Sequence, residues 1–356
     1  MATAIQWIDQ TLGLGLQQGL KGLKLELLLD NLLKLPIGVM DVWIEDWKHC
    51  GLKWPELTSY PQLRGKVTAD PAQVFAAQQL GFKKILLSYR HDEMADMEGL
   101  KEALRAAEGL SLEADLLLEN ASAISTREVV ALAKELHCFS IRGFAYGDEE
   151  SRLEPLAALE QLAFLQTKLP MEMEFHGHNA YGLATANALS AIRVGIRHIA
   201  ATAGNLTRNG YAPLEEVVMG SKILLGEETT GTEKFVDACE GIAACFDAAL
   251  PVNKAIVGKH VFAHESGLHV DGVIKNPSLY EAFSPKDVGA VRRLVIGKHS
   301  GTASLKNCLA GFGISLASEA GKNLLQKVRR LAVLQKRALT EEQLLQLYCE
   351  SNRQVV

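Results

Sequence analysis

Residues Met171-Glu172-Met173-Glu174-Phe175-His176-Gly177-His178-Asn179 run a short apolar stretch into two imidazoles two residues apart. In an extended chain, residues i and i+2 face the same side, so His176 and His178 can converge on one cation while Gly177 faces away. Two neutral imidazoles suit a borderline divalent ion. The plainer reading is a pair of ordinary polar residues closing a strand, and the rest of the chain decides between the two.

This stretch belongs to a series. Short apolar runs alternate with amphipathic stretches from the first residues to about residue 225, the pattern of repeated βα units in a parallel sheet. Expected strands are Ile5–Ile8, Val39–Ile44, Lys66–Thr68, Lys84–Leu87, Ser111–Leu117, Cys138–Ile141, Met171–Phe175 and His198–Ala203. That is the number a closed (β/α)8 TIM barrel needs. Between them, Asp70–Leu80, Met97–Glu108, Ser125–Leu136 and Glu154–Leu169 carry apolar residues at helical spacing. Asp70-Pro71 and Glu154-Pro155 read as helix starts, an acidic residue ahead of a proline in the first turn. In a barrel, the two histidines fall at the carboxyl end of the seventh strand, where barrel enzymes place their chemistry, and the ligand reading gains weight. After Pro251 the pattern changes to a glycine- and histidine-rich stretch and a helical tail, Ser318 to Asn352. The expected fold class is therefore α/β, a barrel over residues 1–250 followed by a smaller, mostly helical C-terminal region over 251–356.

Composition narrows the function classes. The chain has 356 residues, 48% of them hydrophobic, and a formal net charge of −5. That is enough to bury a large core, and it gives no basic footprint for nucleic acid. The leucine-rich start from Thr11 to Leu35 is broken by Lys21, Lys24, Glu26, Asp30 and Lys34, so it does not read as a membrane span, nor does it read as a signal peptide. Cys50, Cys138, Cys239, Cys245, Cys308 and Cys349 form no C-x-x-C pair and fit reduced, buried thiols, so a cytoplasmic location is expected.

Three segments together resemble the homocitrate synthase and 2-isopropylmalate synthase family, most closely homocitrate synthase of the nitrogenase type. They are Phe175–Ala186 (FHGHNAYGLATA), Leu214–Val218 (LEEVV), and Pro251–Gly301 with NKAIVG, FAHESGLHVDGVIKNP and VIGKHSG. The resemblance runs over nearly the whole chain. It implies an acyltransferase that adds the methyl group of acetyl-CoA to a 2-oxo acid, with 2-oxoglutarate the first candidate, using a divalent metal (Mg, Mn or Zn). It also implies lid-like, dimer-contacting C-terminal subdomains. His176 and His178 would be the metal ligands. His269 and Tyr280 would be an acid/base pair reaching the neighbouring protomer's site, and Arg208 would be a further catalytic residue. Apart from the resemblance, His264, Glu265 and His269 read as surface polar residues in a loop, Tyr280 as a packing residue and His299 as a turn residue.

The chain departs from the family pattern at several places. Where the family has D-x-T-L-R-D-G-x-Q, this chain has Asp9-Gln10-Thr11-Leu12-Gly13-Leu14-Gly15-Leu16-Gln17, so the arginine is Gly13 and the metal-binding aspartate is Leu14. Ala180 stands for an acidic residue, Tyr211 for the asparagine of E-R-x-G-N, and Ala123 for the arginine of E-D-A-S-R. Loss of a carboxylate ligand weakens a site for hard cations. The substitutions fall on the expected catalytic face while the C-terminal motif matches. Three readings follow: an acyltransferase with an impaired site, a non-catalytic partner that lends His269 and Tyr280 to an intact relative in a homodimer or heterodimer, and a metal-dependent lyase or ligand-binding barrel. Asp9 could replace the lost ligand only through a bulge, because five residues along a straight strand put it on the opposite face.

Overall fold

The apolar runs become eight parallel strands that close on themselves: β1 (Gln6–Asp9), β2 (Ile37–Trp43), β3 (Gln62–Thr68), β4 (Lys84–Tyr89), β5 (Glu113–Leu118), β6 (Ile141–Asp148), β7 (Glu172–Gly177) and β8 (His198–Thr202). Each pairs with the next, and β8 returns to β1 with Gln6 opposite His198 and Asp9 opposite Ala201. The result is a (β/α)8 barrel. A two-residue strand, β9 (Ala212–Pro213), adds to the outer part of β8. The computed structural model describes residues 3–52, 61–92, 94–204, 210–266, 272–273 and 275–353. It divides into two compact units, Met1–Leu250 and Pro251–Val356.

The helices lie where the spacing places them. Pro71–Gln79 starts behind Asp70, whose carboxylate accepts the Ala72 N–H, and Pro155–Lys168 starts behind Glu154, which accepts from Leu156 and Ala157. Each cap satisfies amide groups that a first helical turn leaves without partners. Ser125 and Glu128 form a reciprocal capping box on Thr126–Glu135.

Two strands differ from expectation. β3 begins at Gln62, four residues earlier, and so includes Arg64. β6 begins at Ile141 and runs to Asp148, whereas Cys138–Ser140 belongs to the turn after the preceding helix. The glycines that make Ile141–Asp148 look like a loop are there for close approach: a Cβ on Gly147 would lie 2.5 Å from the Glu119 carbonyl oxygen.

In the second unit, Ala263–His264 pairs in parallel with Arg293–Leu294. Three helices, Thr302–Ala310, Ser318–Gln335 and Glu341–Arg353, enclose a small core of Ile296, Leu305, Leu309, Leu324, Val328 and Leu344. The helical tail is broken at Lys336, which takes a left-handed φ of 53°. Of the six cysteines only Cys239 and Cys245 are buried, Cys138 and Cys349 are exposed, and none forms a disulfide. No described helix is long and apolar enough to cross a membrane.

Asp9 ends β1 as a cap. Its two carboxylate oxygens accept the Thr11 and Leu12 N–H groups, each at 2.9 Å, and so start the helix Thr11–Gln17. A bulge does occur in the β1–β2 pairing, between Trp7 and Ile8, but it leaves Asp9 committed to the helix. Burial, only partly offset by these hydrogen bonds, raises the Asp9 carboxyl to about 6. The folded chain therefore keeps a proton that the unfolded chain has released, and stability falls as pH rises from about 4 to about 6. Asp9→Asn removes this dependence. The difference in unfolding free energy between variant and parent should shift toward the variant by up to about 3 kcal/mol between pH 4 and pH 7 in urea titrations. A difference constant with pH would contradict the assignment.

Candidate active site

A buried ion cluster crosses the barrel interior. Arg64, 1% exposed, projects inward from β3. Its Nε and Nη2 donate to the two oxygens of Asp41 on β2 at 2.7 and 2.9 Å. Nη1 and Nη2 donate to the two oxygens of Glu174 on β7 at 2.8 and 2.6 Å, and Nη1 also reaches Asp115 on β5 at 2.8 Å. Lys84 adds a second cation at 3.0 Å from Asp115, and Gln10 donates to Asp41 at 2.7 Å. Burial alone would raise the Glu174 carboxyl, but Arg64 and then His176 outweigh it and hold the group well below the usual carboxylate range. The same carboxylates stabilise the guanidinium charge against its own burial.

Cavities lie toward both ends of the barrel. Near the amino ends, a cavity of about 170 Å³ is bordered by Arg64, Lys84, Asp115 and Glu174. Near the carboxyl ends, a cavity of about 370 Å³ is bordered by Gln10, Gly13, Leu14, Asp41, Trp43, Lys66, Glu149, His178, Thr202 and Tyr211. The second is the site the histidines point to.

His176, on β7, donates to or accepts from Glu174 through Nε2, and its buried Nδ1 has no partner. His178 bridges to Tyr211, and its Nδ1 is likewise buried without a partner. Both rings pack on Tyr211, at centroid distances of 5.6 and 4.4 Å. Burial, with His176 and Lys66 nearby, lowers His178 to about 4 and keeps it neutral. Burial and the surrounding carboxylates raise the Tyr211 phenol, so it stays protonated.

Asp41, Glu174 and His176 form a buried group whose ligand-forming atoms lie within 4.8 Å of one another, and such a group can hold a metal ion. Arg64 already donates to all four carboxylate oxygens of that group. A divalent ion there would have to share every one of those oxygens with the guanidinium, whose positive charge opposes it. The His176 and His178 Nδ1 atoms remain without partners, and Leu14 in the cavity wall supplies no carboxylate. Gly13 reinforces the point, since a Cβ on it would lie 2.7 Å from the Asp41 carbonyl oxygen. No larger side chain enters that position unless the backbone moves.

Of the other residues singled out in the sequence, Arg208 and His269 lie outside the described residues. Tyr280, in the second unit, is 40% exposed. Nearby, His264 contacts Glu281 at 3.2 Å, and Arg292 holds the same carboxylate at 2.6 Å. Glu265 accepts the His299 N–H at 2.9 Å, which makes His299 part of a turn.

Arg64, Asp41 and Lys66 were not legible as site residues. Their signal was a charged residue inside each short strand: Asp41 in Met40-Asp41-Val42, Asp115 in Ala114-Asp115-Leu116, Glu174 in Met173-Glu174-Phe175, and a cation pair in Arg64-Gly65-Lys66. In a closed barrel such charges must meet one another. Removing Arg64 leaves three buried carboxylates short of a cation, so Arg64→Met should destabilise the chain by about 3–5 kcal/mol at neutral pH. The depressed Glu174 carboxyl contributes stability above its unfolded value and loses it as pH falls, so this loss should shrink in acid. Urea titrations at neutral pH and near pH 4 measure both; a loss below about 1 kcal/mol at neutral pH, the range of an exposed pair, would contradict the cluster's role.

Residues 72–242 match the family described as HMGL-like, and residues 256–336 match the homocitrate synthase post-HMGL domain-like family. The chain is 37% identical over 254 residues to 2-isopropylmalate synthase 2 of Caldanaerobacter subterraneus subsp. tengcongensis, covering 71% of this chain and 66% of that protein. It is 42% identical over 209 residues to homocitrate synthase 1 of Nostoc sp., covering 58% and 55% respectively. The matched region thus spans just over half to about two thirds of these relatives' own length. Among solved structures, an HMG-CoA lyase from Acinetobacter baumannii superposes with a TM-score of 0.60 at 16% identity, over 72% of this chain and 95% of that one, which speaks to the fold. The barrel, its pair of histidines and these matches agree: the chain belongs to the HMGL-like, homocitrate synthase and 2-isopropylmalate synthase family.

Proposed function

We propose that the carboxyl-end cavity binds a small 2-oxo acid in the manner of a homocitrate synthase, with 2-oxoglutarate the first candidate and acetyl-CoA the co-substrate of the reaction class. The observation that carries this reading is the set of polar groups in a cavity of about 370 Å³: the neutral His178 Nδ1 and the Thr202 hydroxyl, both without a partner, and the Lys66 ammonium over the Trp43 ring. Thr202 is 2% exposed and its hydroxyl has no hydrogen-bond partner, as expected of a group waiting for a ligand. Lys66 supplies positive charge for a carboxylate, and His178 and Thr202 can orient a ketone.

The condensation itself is another matter. In the metal-assisted reaction a divalent ion polarises the ketone. Here Arg64 holds the carboxylates and Leu14 stands in the cavity wall, so the chain alone binds the oxo acid without condensing it. A second reading rests on the match of residues 256–336 to the C-terminal family: the chain serves as a partner subunit, lending His269 and Tyr280 to an intact relative. Calorimetry should show saturable binding of 2-oxoglutarate, pyruvate or 2-oxoisovalerate. A thiol assay with acetyl-CoA and Mg, Mn or Zn should stay silent with the chain alone. Chelator-sensitive thiol release would overturn the non-condensing assignment, and absence of oxo acid binding would overturn the site. Release that appears only on mixing with an intact homologue would support the partner reading.

A further inference from the structure

We propose that Lys66 captures a small 2-oxo acid covalently, its side-chain amine condensing with the ketone carbon to form an imine in the carboxyl-end cavity. The inference rests on reading that cavity as an oxo acid site, and it assigns the site a second chemistry that needs no metal.

Lys66 projects from β3 two residues beyond Arg64, on the same face of the strand, and is 8% exposed. Its Nζ sits 4.8 Å from the centre of the Trp43 ring, and no hydrogen bond ties it to a described residue. The Trp43 ring attracts the charged form, but no acceptor among the described residues binds the amine, so once its proton leaves nothing in the cavity wall occupies the lone pair. Burial lowers the Lys66 ammonium, and Asp41, Glu149 and Glu119 oppose that shift without reversing it. Burial, then the neighbouring Glu119, raises the Glu149 carboxyl. One cavity therefore holds an amine biased toward its neutral form and a carboxyl biased toward its acid form, the pair that imine formation requires.

The steps balance without an oxidant or reductant. The neutral Lys66 nitrogen attacks C2 of the oxo acid while the ketone oxygen takes a proton, which Glu149 can supply. The Glu149 carboxylate takes one proton back from the attacking nitrogen and passes it to the carbinolamine hydroxyl, which leaves as one water while the C=N bond forms and the nitrogen keeps its other proton. The protonated imine then carries its positive charge one carbon away from the substrate's own carboxylate. The same cation acidifies C3, so a proton there can pass to the Glu149 carboxylate and return from solvent.

The test treats the folded chain with pyruvate or 2-oxoglutarate, adds borohydride, and follows intact mass and a peptide map, alongside calorimetry of oxo acid binding. The expected result is a single saturable adduct on Lys66, unaffected by chelator and lost in Lys66→Arg, which retains the charge but cannot form the imine. A urea-unfolded sample of the parent chain should lose the preference for Lys66, which keeps the test decisive should the variant fail to fold. Deuterium exchange at C3 of pyruvate, followed by NMR, should be catalysed by the parent chain and not by the variant. Oxo acid binding without an adduct, or labelling spread over exposed lysines, would overturn the imine and leave the binding site standing. Absence of both binding and adduct would overturn the two together.

Discussion

The Arg64 guanidinium is the constraint on which the barrel interior depends. Four strands each bring buried charge into the barrel interior: Asp41 from β2, Arg64 from β3, Asp115 from β5 and Glu174 from β7. Isolated, any of these charges would be strongly disfavoured there. Placed on one planar cation with five N–H donors, they become a lattice that fixes the angular positions of the strands around the barrel. The histidines inherit their geometry from it. Glu174 is held by Arg64 and in turn engages His176 Nε2, which leaves the other ring nitrogen free of a partner. Asp41 is held from both sides by Arg64 and Gln10, and its backbone carbonyl approaches closely enough that only glycine fits at position 13.

This lattice changes what a family member of this kind can do. Two of the three residues that could surround a metal ion, Asp41 and Glu174, already hold an internal cation. The changes at the mouth of the barrel point the same way, with Leu14 in the cavity wall and Tyr211 packed against both imidazoles. Near the carboxyl ends the barrel keeps a cavity lined by Lys66, His178 and Thr202.

The sequence exposes the architecture well and the electrostatics poorly. Hydrophobic runs of strand length, the acidic-proline helix starts and the paired histidines at the end of Met171–Phe175 all carry local signals, and local signals are what a single chain displays. The cluster does not. Asp41, Arg64, Asp115 and Glu174 lie far apart in sequence, and each alone looks like a polar interruption of a strand; their meaning comes only from closure of the barrel. The start of β3 is hidden for the same reason, since Gln62-Leu63-Arg64-Gly65 lacks an apolar run. β6 was displaced because Gly143 and Gly147 imitate a turn in a strand that needs close backbone approach. Asp9, considered as a substitute ligand, is spent on capping a helix, a role visible only once that helix is known to start at Thr11.

The most direct test of the account is anomalous diffraction from crystals soaked in manganese or zinc. The account predicts no anomalous peak among Asp41, Glu174 and His176, with the Arg64 guanidinium in place between the two carboxylates. A peak within bonding distance of those three residues, with Arg64 displaced, would contradict it and would make the buried cluster a metal site.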